Sequence, residues 1–236
     1  MKPLYLSTPV RKLLGSCLRP GGEVLTRRII DLTAPRAADR ILDAGCGTGT
    51  SMTLLKEHGI ATVIGLDLHL GLLQEAMREG RQVAQADLVH LPLPDGCLDM
   101  ILGECVWNLT DRPRVLSEFA RVLRPGGHLA LSDIFSRATA PQNPPGEWPV
   151  ACCFSRATDL KTVQNLVTQA GFEIIMVEDH TRLLNRTAAE FVFAHGSLQA
   201  FWQAVTGDVQ LASAACTASA ATRPGLFLLI ARLSQL

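Results

Sequence analysis

Short apolar runs alternate with helical stripes along most of the chain. Arg40 to Ala44 predicts a buried strand, and Thr50 to His58 behind it predicts a helix. The same pair then recurs. Ala61 to Asp67 reads as a strand. Leu68 to Glu79 reads as a helix, with Leu72, Leu73, Ala76 and Met77 on one face and Gly80 as its stop. Val83 to Asp87 gives a third strand and Leu98 to Gly103 a fourth. A helix from Asp111 to Leu123 follows, capped by Asp111, with Pro113 in its first turn and Val115, Leu116, Phe119, Val122 and Leu123 on its buried face. Arg124-Pro125-Gly126-Gly127 turns the chain into a fifth strand, His128 to Phe135. His128 stands at the start of that strand, away from any site at its far end, and reads as structural.

Beyond a proline-rich loop at 136–149, Thr158 is expected to cap a helix to Ala170, stopped by Gly171, and Phe172 to Asp179 to form a sixth strand. Thr187-Ala188-Ala189-Glu190 fits a capping box and predicts helical structure to about Val205. Residues 206–223 are small and polar and predict a surface excursion. Leu226 to Ala231 is apolar throughout, as a strand buried on both faces would be. Ahead of the first strand, residues 1–38 hold one predicted helix, Glu23 to Leu32, with Val24, Leu25, Ile29 and Leu32 on its apolar face. Strands alternating with helices predict an α/β, Rossmann-like sheet of seven strands with helices on both faces. The 236 residues form one expected domain, 1–38 as a flank or lid and 39–236 as the core.

Composition narrows the partners. Acidic and basic residues balance at 22 each, which argues against a nucleic-acid surface. No apolar run has membrane-spanning length, and the start lacks the apolar stretch of a secretory signal, so a cytoplasmic protein is expected. The seven cysteines are scattered and without a C-x-x-C pair, so neither a disulfide framework nor a metal site is expected.

Candidate chemistry centres on Ile41-Leu42-Asp43-Ala44-Gly45-Cys46-Gly47-Thr48-Gly49, between the first strand and its helix. Glycines at such a turn bring bare backbone close to a ligand. The dinucleotide fingerprint G-x-G-x-x-G wants glycine at position 50, which is Thr50, and the extra Gly49 also argues against a nicotinamide oxidoreductase. Asp67, at the end of the second strand, suits either a ribose diol, which a carboxylate can hold with two hydrogen bonds, or the cap of the next helix. Ligands of such sheets sit at the carboxyl ends of the strands, which directs Glu104 to Leu109 toward the site.

The acidic-x-G-x-G-x-G pattern with Asp67 resembles the first motifs of the class I S-adenosylmethionine (SAM)-dependent methyltransferases. Leu91-Pro92-Leu93-Pro94 before Leu98-Asp99, together with Leu123-Arg124-Pro125-Gly126-Gly127, is similar to the ubiquinone and menaquinone biosynthesis branch. The resemblance implies a sheet parallel except for its last strand, and methyl transfer from SAM to a small molecule, leaving S-adenosylhomocysteine. It implies cofactor contacts at Asp43, Gly45, Cys46, Gly47, Gly49, Asp67, Leu68, Asp87, Leu88 and Glu104. Asp87 would lie near the adenine amino group, with the Leu88 N–H on a ring nitrogen; a plain turn role for Asp87 stays open. A SAM-binding protein without catalysis stays open as well.

Glu104-Cys105-Val106-Trp107-Asn108-Leu109 is also similar in part to the arsenite methyltransferases, in which a cysteine at this place binds trivalent arsenic. That resemblance implies an acceptor site at Cys105, Trp107, Asn108 and Cys153, with Cys152 adjoining; ordinary packing of these cysteines is the alternative. Cys46, Cys97 and Cys216 read as packing. For an acceptor that must lose a proton, Glu104, Asp133 and His180 are the candidate bases, beside Cys105 as a candidate catalytic thiol.

Overall fold

The computed structural model describes residues 3–138 and 148–234. Most of the expected proline-rich loop lies outside these residues. Seven strands form one sheet: β1 (Arg40–Ala44), β2 (Thr62–Asp67), β3 (Val83–Gln85), β4 (Leu98–Glu104), β5 (Leu123–Ser136), β6 (Phe172–Asp179) and β7 (Pro224–Leu233). Their order is 3-2-1-4-5-7-6. β1 to β5 pair in parallel, and β7 runs antiparallel between β5 and β6. The expected sheet, parallel except for its last strand, is the one observed.

The apolar runs follow from burial on both faces. Along β1, Ile41 packs to one side and Leu42 to the other; along β7, Leu228 and Ile230 oppose Phe227, Leu229 and Ala231. One face carries α2 (Val24–Thr33), α3 (Thr50–Glu57) and α4 (Leu70–Arg78), through Ile29, Leu55 and Leu73 among others. The opposite face carries α5 (Arg112–Val122) and α6 (Leu160–Gln169), through Leu116, Phe119, Val163 and Val167. A third apolar cluster stands apart from the sheet, where α1 (Thr8–Leu14), α7 (Thr181–His195), α8 (Leu198–Thr206) and α9 (Val209–Thr222) meet.

Several elements differ from the pattern-based expectation, each for a local reason. α1 is an additional helix in the leading segment, only seven residues long, with Val10 as its buried residue. α6 is capped by Asp159 instead of Thr158; its Oδ1 accepts the Thr162 N–H at 2.9 Å. Thr187 caps nothing. It lies inside α7, buried, and its hydroxyl accepts the Gly21 N–H at 3.2 Å. The expected excursion at 206–223 is largely α9, capped by Asp208, with Ala212 and Ala215 fully buried. Its small side chains hide the apolar stripe, while alanine favours the helix. β3 ends at Gln85, short of Asp87. β5 already begins at Leu123, and the Arg-Pro-Gly-Gly stretch is an irregularity within it: the register passes from Leu98 opposite Leu123 to Met100 opposite His128.

Candidate active site

The carboxyl ends of β1, β2, β3 and β4 open onto one cavity of about 870 Å³, near the upper end of the ~300–1,000 Å³ usual for small-molecule sites. Its floor includes Gly45, Cys46, Gly47, Asp67, Leu68, Asp87, Leu88, Glu104 and Cys105, and residues from Pro3 to Pro20 line it from above.

The glycine turn works by leaving space more than by donating hydrogen bonds. The Gly45 and Cys46 N–H groups both go to the Leu66 carbonyl, at 2.7 and 3.0 Å, and the Gly47 N–H goes to Asp67 Oδ2 at 2.9 Å. Gly45 has φ 74°, and a Cβ there would stand 2.5 Å from Val106 Cγ2. Asp67 is held at both oxygens, since Oδ1 also accepts the His69 N–H at 2.7 Å. The cap of α4 is His69 itself, so Asp67 keeps its remaining lone pairs for the cavity it lines. Asp87 lines the cavity too, with Oδ1 on the Val89 N–H at 3.1 Å, so the turn role and a ligand-facing position coincide.

Asp43 and Gly49 lie just behind the lining. Asp43 is buried, and its Oδ2 has no hydrogen-bond partner among the described residues. Burial first, then the negative charge of Glu104, push its carboxyl up to about 7 against the opposing pull of Arg19. An orphaned acidic oxygen beside an open glycine turn fits the ammonium of an amino acid tail. Glu104 is 7% exposed and already engaged. It accepts hydroxyl hydrogen bonds from Ser51 at 2.6 Å and Thr26 at 2.9 Å, and pairs with the Arg19 guanidinium at 3.3 Å.

The expected acceptor residues divide. Cys105 and Cys153 both line the cavity, and their sulphurs and an Asp133 oxygen lie within 4.8 Å of one another. These three groups could hold a soft cation or metalloid, although no metal site was expected. A hydrogen bond with Cys105, then burial, raise the Cys153 thiol well above its usual range, and burial raises Cys152 to about 11. Trp107 and Asn108 are placed away from the lining. Trp107 is in the core on the α5 face. Asn108 is a brace whose amide donates to Asp133, to the Ile134 carbonyl and to the Cys153 carbonyl, while its oxygen accepts from Arg112. The turn responsible is at Cys105, which takes φ 55° and redirects the chain.

The candidate bases separate in the same way. Asp133 is fully buried behind the lining, raised to about 7 by burial and held by the Asn108 and Ile134 N–H groups. His180 bonds Glu178 at 2.8 Å and does not line the cavity. Glu104 is on the cavity but saturated. Sequence reasoning missed Tyr5, Leu18 and Arg19, and a wall of Trp148, Phe154, Phe191, Phe201 and Trp202. The available signal was the concentration of aromatic residues near 191–202 in a chain with only 5% of them.

Comparison with known proteins gives this cavity its context. Residues 42–131 match the family model described as a methyltransferase domain. Methyltransferase GfsG of Streptomyces halstedii is 32% identical over 69% of this chain and 63% of its own length. Phosphoethanolamine N-methyltransferase of Triticum aestivum is 29% identical over 72% of this chain and 36% of its own. The chain thus spans less than two thirds of these relatives. Among solved structures, the [4+2]-cyclase SpnF superposes with a TM-score of 0.72 at 24% identity, covering 90% of this chain and 81% of that one. Phosphoethanolamine N-methyltransferase 2 of Haemonchus contortus, in complex with S-adenosyl-L-methionine, superposes with a TM-score of 0.77 at 18% identity, covering 96% and 56%. No helix among the described residues is long and apolar enough to cross a membrane. The sheet order and the antiparallel seventh strand give this chain the class I, Rossmann-like fold, and within it residues 42–131 are similar to the methyltransferase domain model.

Proposed function

We propose that the chain is a SAM-dependent methyltransferase acting on a small molecule. The observation that carries this reading is Asp67. Its carboxylate is fixed by the Gly47 and His69 N–H groups at the edge of a cavity whose glycine turn leaves no room for a Cβ at Gly45. When bound, SAM supplies a methyl group on a sulfonium sulphur, which departs with the C–S electron pair as a lone pair of the acceptor attacks. Asp67 would hold the ribose hydroxyls, Asp87 and Leu88 the adenine, Asp43 and the turn from Gly45 to Gly47 the amino acid portion. Residues 3–20 would act as the lid, with Thr48 donating its hydroxyl to the Ser16 carbonyl at 2.7 Å to pin the segment down. With Glu104 saturated and Asp133 and His180 off the cavity, the chain's contribution is placement. Holding two reactants in line supplies up to about 7–11 kcal/mol of a barrier.

Asp67→Ala is expected to weaken SAM binding by roughly 1–3 kcal/mol, the usual cost of removing one partner of a charged hydrogen bond. Calorimetric titration checks it, and unchanged affinity overturns the ribose assignment. Asp43 gives a pH signature. Its carboxyl, raised to about 7, is neutral below that pH and ionised above it, and an ammonium prefers the ionised form. SAM affinity should therefore rise from pH 6 to pH 8, by up to about tenfold per unit below the transition. Titrations at pH 6, 7 and 8 should show this slope in the unaltered protein and a flat profile in Asp43→Asn.

A second reading has its own observation. The Cys105 and Cys153 thiols meet on the cavity next to Asp133, a donor set suited to a thiophilic acceptor such as trivalent arsenic. The raised Cys153 thiol works against it, because a soft ligand must bind as thiolate.

A further inference from the structure

The cavity has two chemically different halves. Its ionisable lining residues come mostly from the strand ends and the loops just beyond them: Asp67, Asp87, Glu104, Asp111 and Arg114, with Arg19 from the leading segment. The other half is built by α1, α7, α8 and residues 148–154. Among the described residues that these contribute, none is an acid, a lysine, an arginine or a histidine. Arg137, which also lines the cavity, is exposed and has its Nε on the Arg223 carbonyl at 3.1 Å.

Five aromatic rings run through the uncharged half as a continuous wall. Phe154 stacks on Trp148 at 5.3 Å between ring centres, Trp148 meets Trp202 at 5.8 Å, Trp202 meets Phe201 at 5.1 Å, and Phe201 meets Phe191 at 4.3 Å. All five line the cavity. The wall begins at Phe154, next to Cys153, whose sulphur lies within 4.8 Å of that of Cys105 on the floor. Rings of this kind favour offset or edge contacts with other rings. An anionic group placed against the faces of these rings would lose its hydration with no partner in return.

We propose that the methyl acceptor is an uncharged, ring-bearing molecule. Its apolar body lies against the Phe154–Trp148–Trp202–Phe201–Phe191 wall, and its nucleophilic heteroatom points to the Cys105 end of the cavity. Small phosphorylated acceptors do not fit, since they would leave the wall uncovered or set an anion against its ring faces. The proposal rests on the SAM reading above and gives that reading its substrate class.

The test uses the whole protein saturated with S-adenosylhomocysteine and three probes: 1-naphthol as a neutral ring compound, phosphoethanolamine as a charged one, and arsenite. 1-Naphthol should bind at least tenfold more tightly than phosphoethanolamine by equilibrium dialysis. Ala188→Asp, which puts a carboxylate on the uncharged half, should reduce naphthol binding at least tenfold and leave S-adenosylhomocysteine binding intact, so that a failure to fold is recognised. If the unaltered protein binds S-adenosylhomocysteine but prefers phosphoethanolamine, or loses no naphthol binding in Ala188→Asp, the acceptor class is wrong. Preferential arsenite binding that disappears in Cys105→Ser replaces it with the thiol reading. If S-adenosylhomocysteine itself does not bind, the cofactor reading fails and takes the acceptor class with it.

Discussion

Arg19→Ala is expected to lower the melting temperature by about 10 °C at pH 8. Arg19, with its side chain 12% exposed, stands 3.3 Å from the buried Glu104 carboxylate and donates to the Thr26 hydroxyl at 2.6 Å. Its loss leaves Glu104 charged in the interior, facing Asp43 with no cation between them. Breaking a buried pair from one side costs about 3–5 kcal/mol, and for 150–250 residues each kcal/mol moves the midpoint by roughly 2–4 °C. Ser51 and Thr26 still donate to Glu104, which keeps the loss toward the lower figure. The sign of the pH dependence follows. Arg19 pulls the buried Asp43 carboxyl back from burial and the Glu104 charge, so without it that carboxyl, already raised to about 7, rises further above its unfolded value; the added penalty is present at high pH and fades as pH falls through the folded value. Melts at pH 8 and pH 5.5 should differ, with the smaller loss at pH 5.5. An equal loss at both would mean that the side chain contributes packing and not charge.

Gly45→Ala should be the other severe change, destabilising by about 2–5 kcal/mol and weakening SAM binding at least tenfold. A left-handed residue with a side chain costs roughly 1–2 kcal/mol, and forcing carbon into a filled site adds about 1–3. The new Cβ would stand 2.5 and 2.7 Å from Val106 Cγ2 and Cβ, so something must shift. Val106 follows Cys105, and its displacement would carry the cavity floor with it. Gly47→Ala is the internal control. Its φ of 54° also disfavours a side chain, but the nearest atoms, on Leu72 and Leu18, are 3.8 and 3.9 Å away. It should cost only the backbone part. Val106→Ala in the Gly45→Ala background should restore part of the loss, because the γ carbons go and the β carbon stays. Denaturant midpoints of the four proteins decide the point; equal losses for Gly45→Ala and Gly47→Ala would remove Val106 from the account.

How far the sequence could be read depended on whether a feature is local. β1, β2, β4 and β7 announced themselves because strands covered on both faces carry unbroken apolar runs, Ile41-Leu42, Val63-Ile64, Met100-Ile101-Leu102 and Leu226 to Ala231. The glycine-turn side of the cavity was legible for a related reason: Gly45, Gly47 and Asp67, which line it together, belong to two consecutive strand-and-turn units, so their spacing in the chain carries their meeting in space. The uncharged half was not legible. Its residues come from α1, from 148–154, from α7 and from α8, and only packing gathers them. Two readings failed through a single atom or angle. Thr187 has the sequence context of a helix cap, yet its hydroxyl serves Gly21 across the fold. Trp107 and Asn108 follow a strand end and should by rule face a ligand, but the left-handed Cys105 between strand and turn swings them into the core. α9 stayed hidden because alanine makes a helix without marking which side is buried.

The place of β7 bears on how the molecule is made. β7 follows β6 in the chain yet lies between β5 and β6, pairing with both in opposite direction. A ribosome delivers the chain in order, so β5 and β6 emerge with a missing neighbour between them and wait while three helices are synthesised. During that interval two apolar edges present unpaired N–H and C=O groups, the usual template for association with other chains. The segment that fills the interval is α7 and α8, which build much of the uncharged half of the cavity, together with α9. The helices that shape the uncharged half of the cavity therefore also set how long the nascent sheet stays open, and lengthening them to suit a larger cavity would lengthen that exposure.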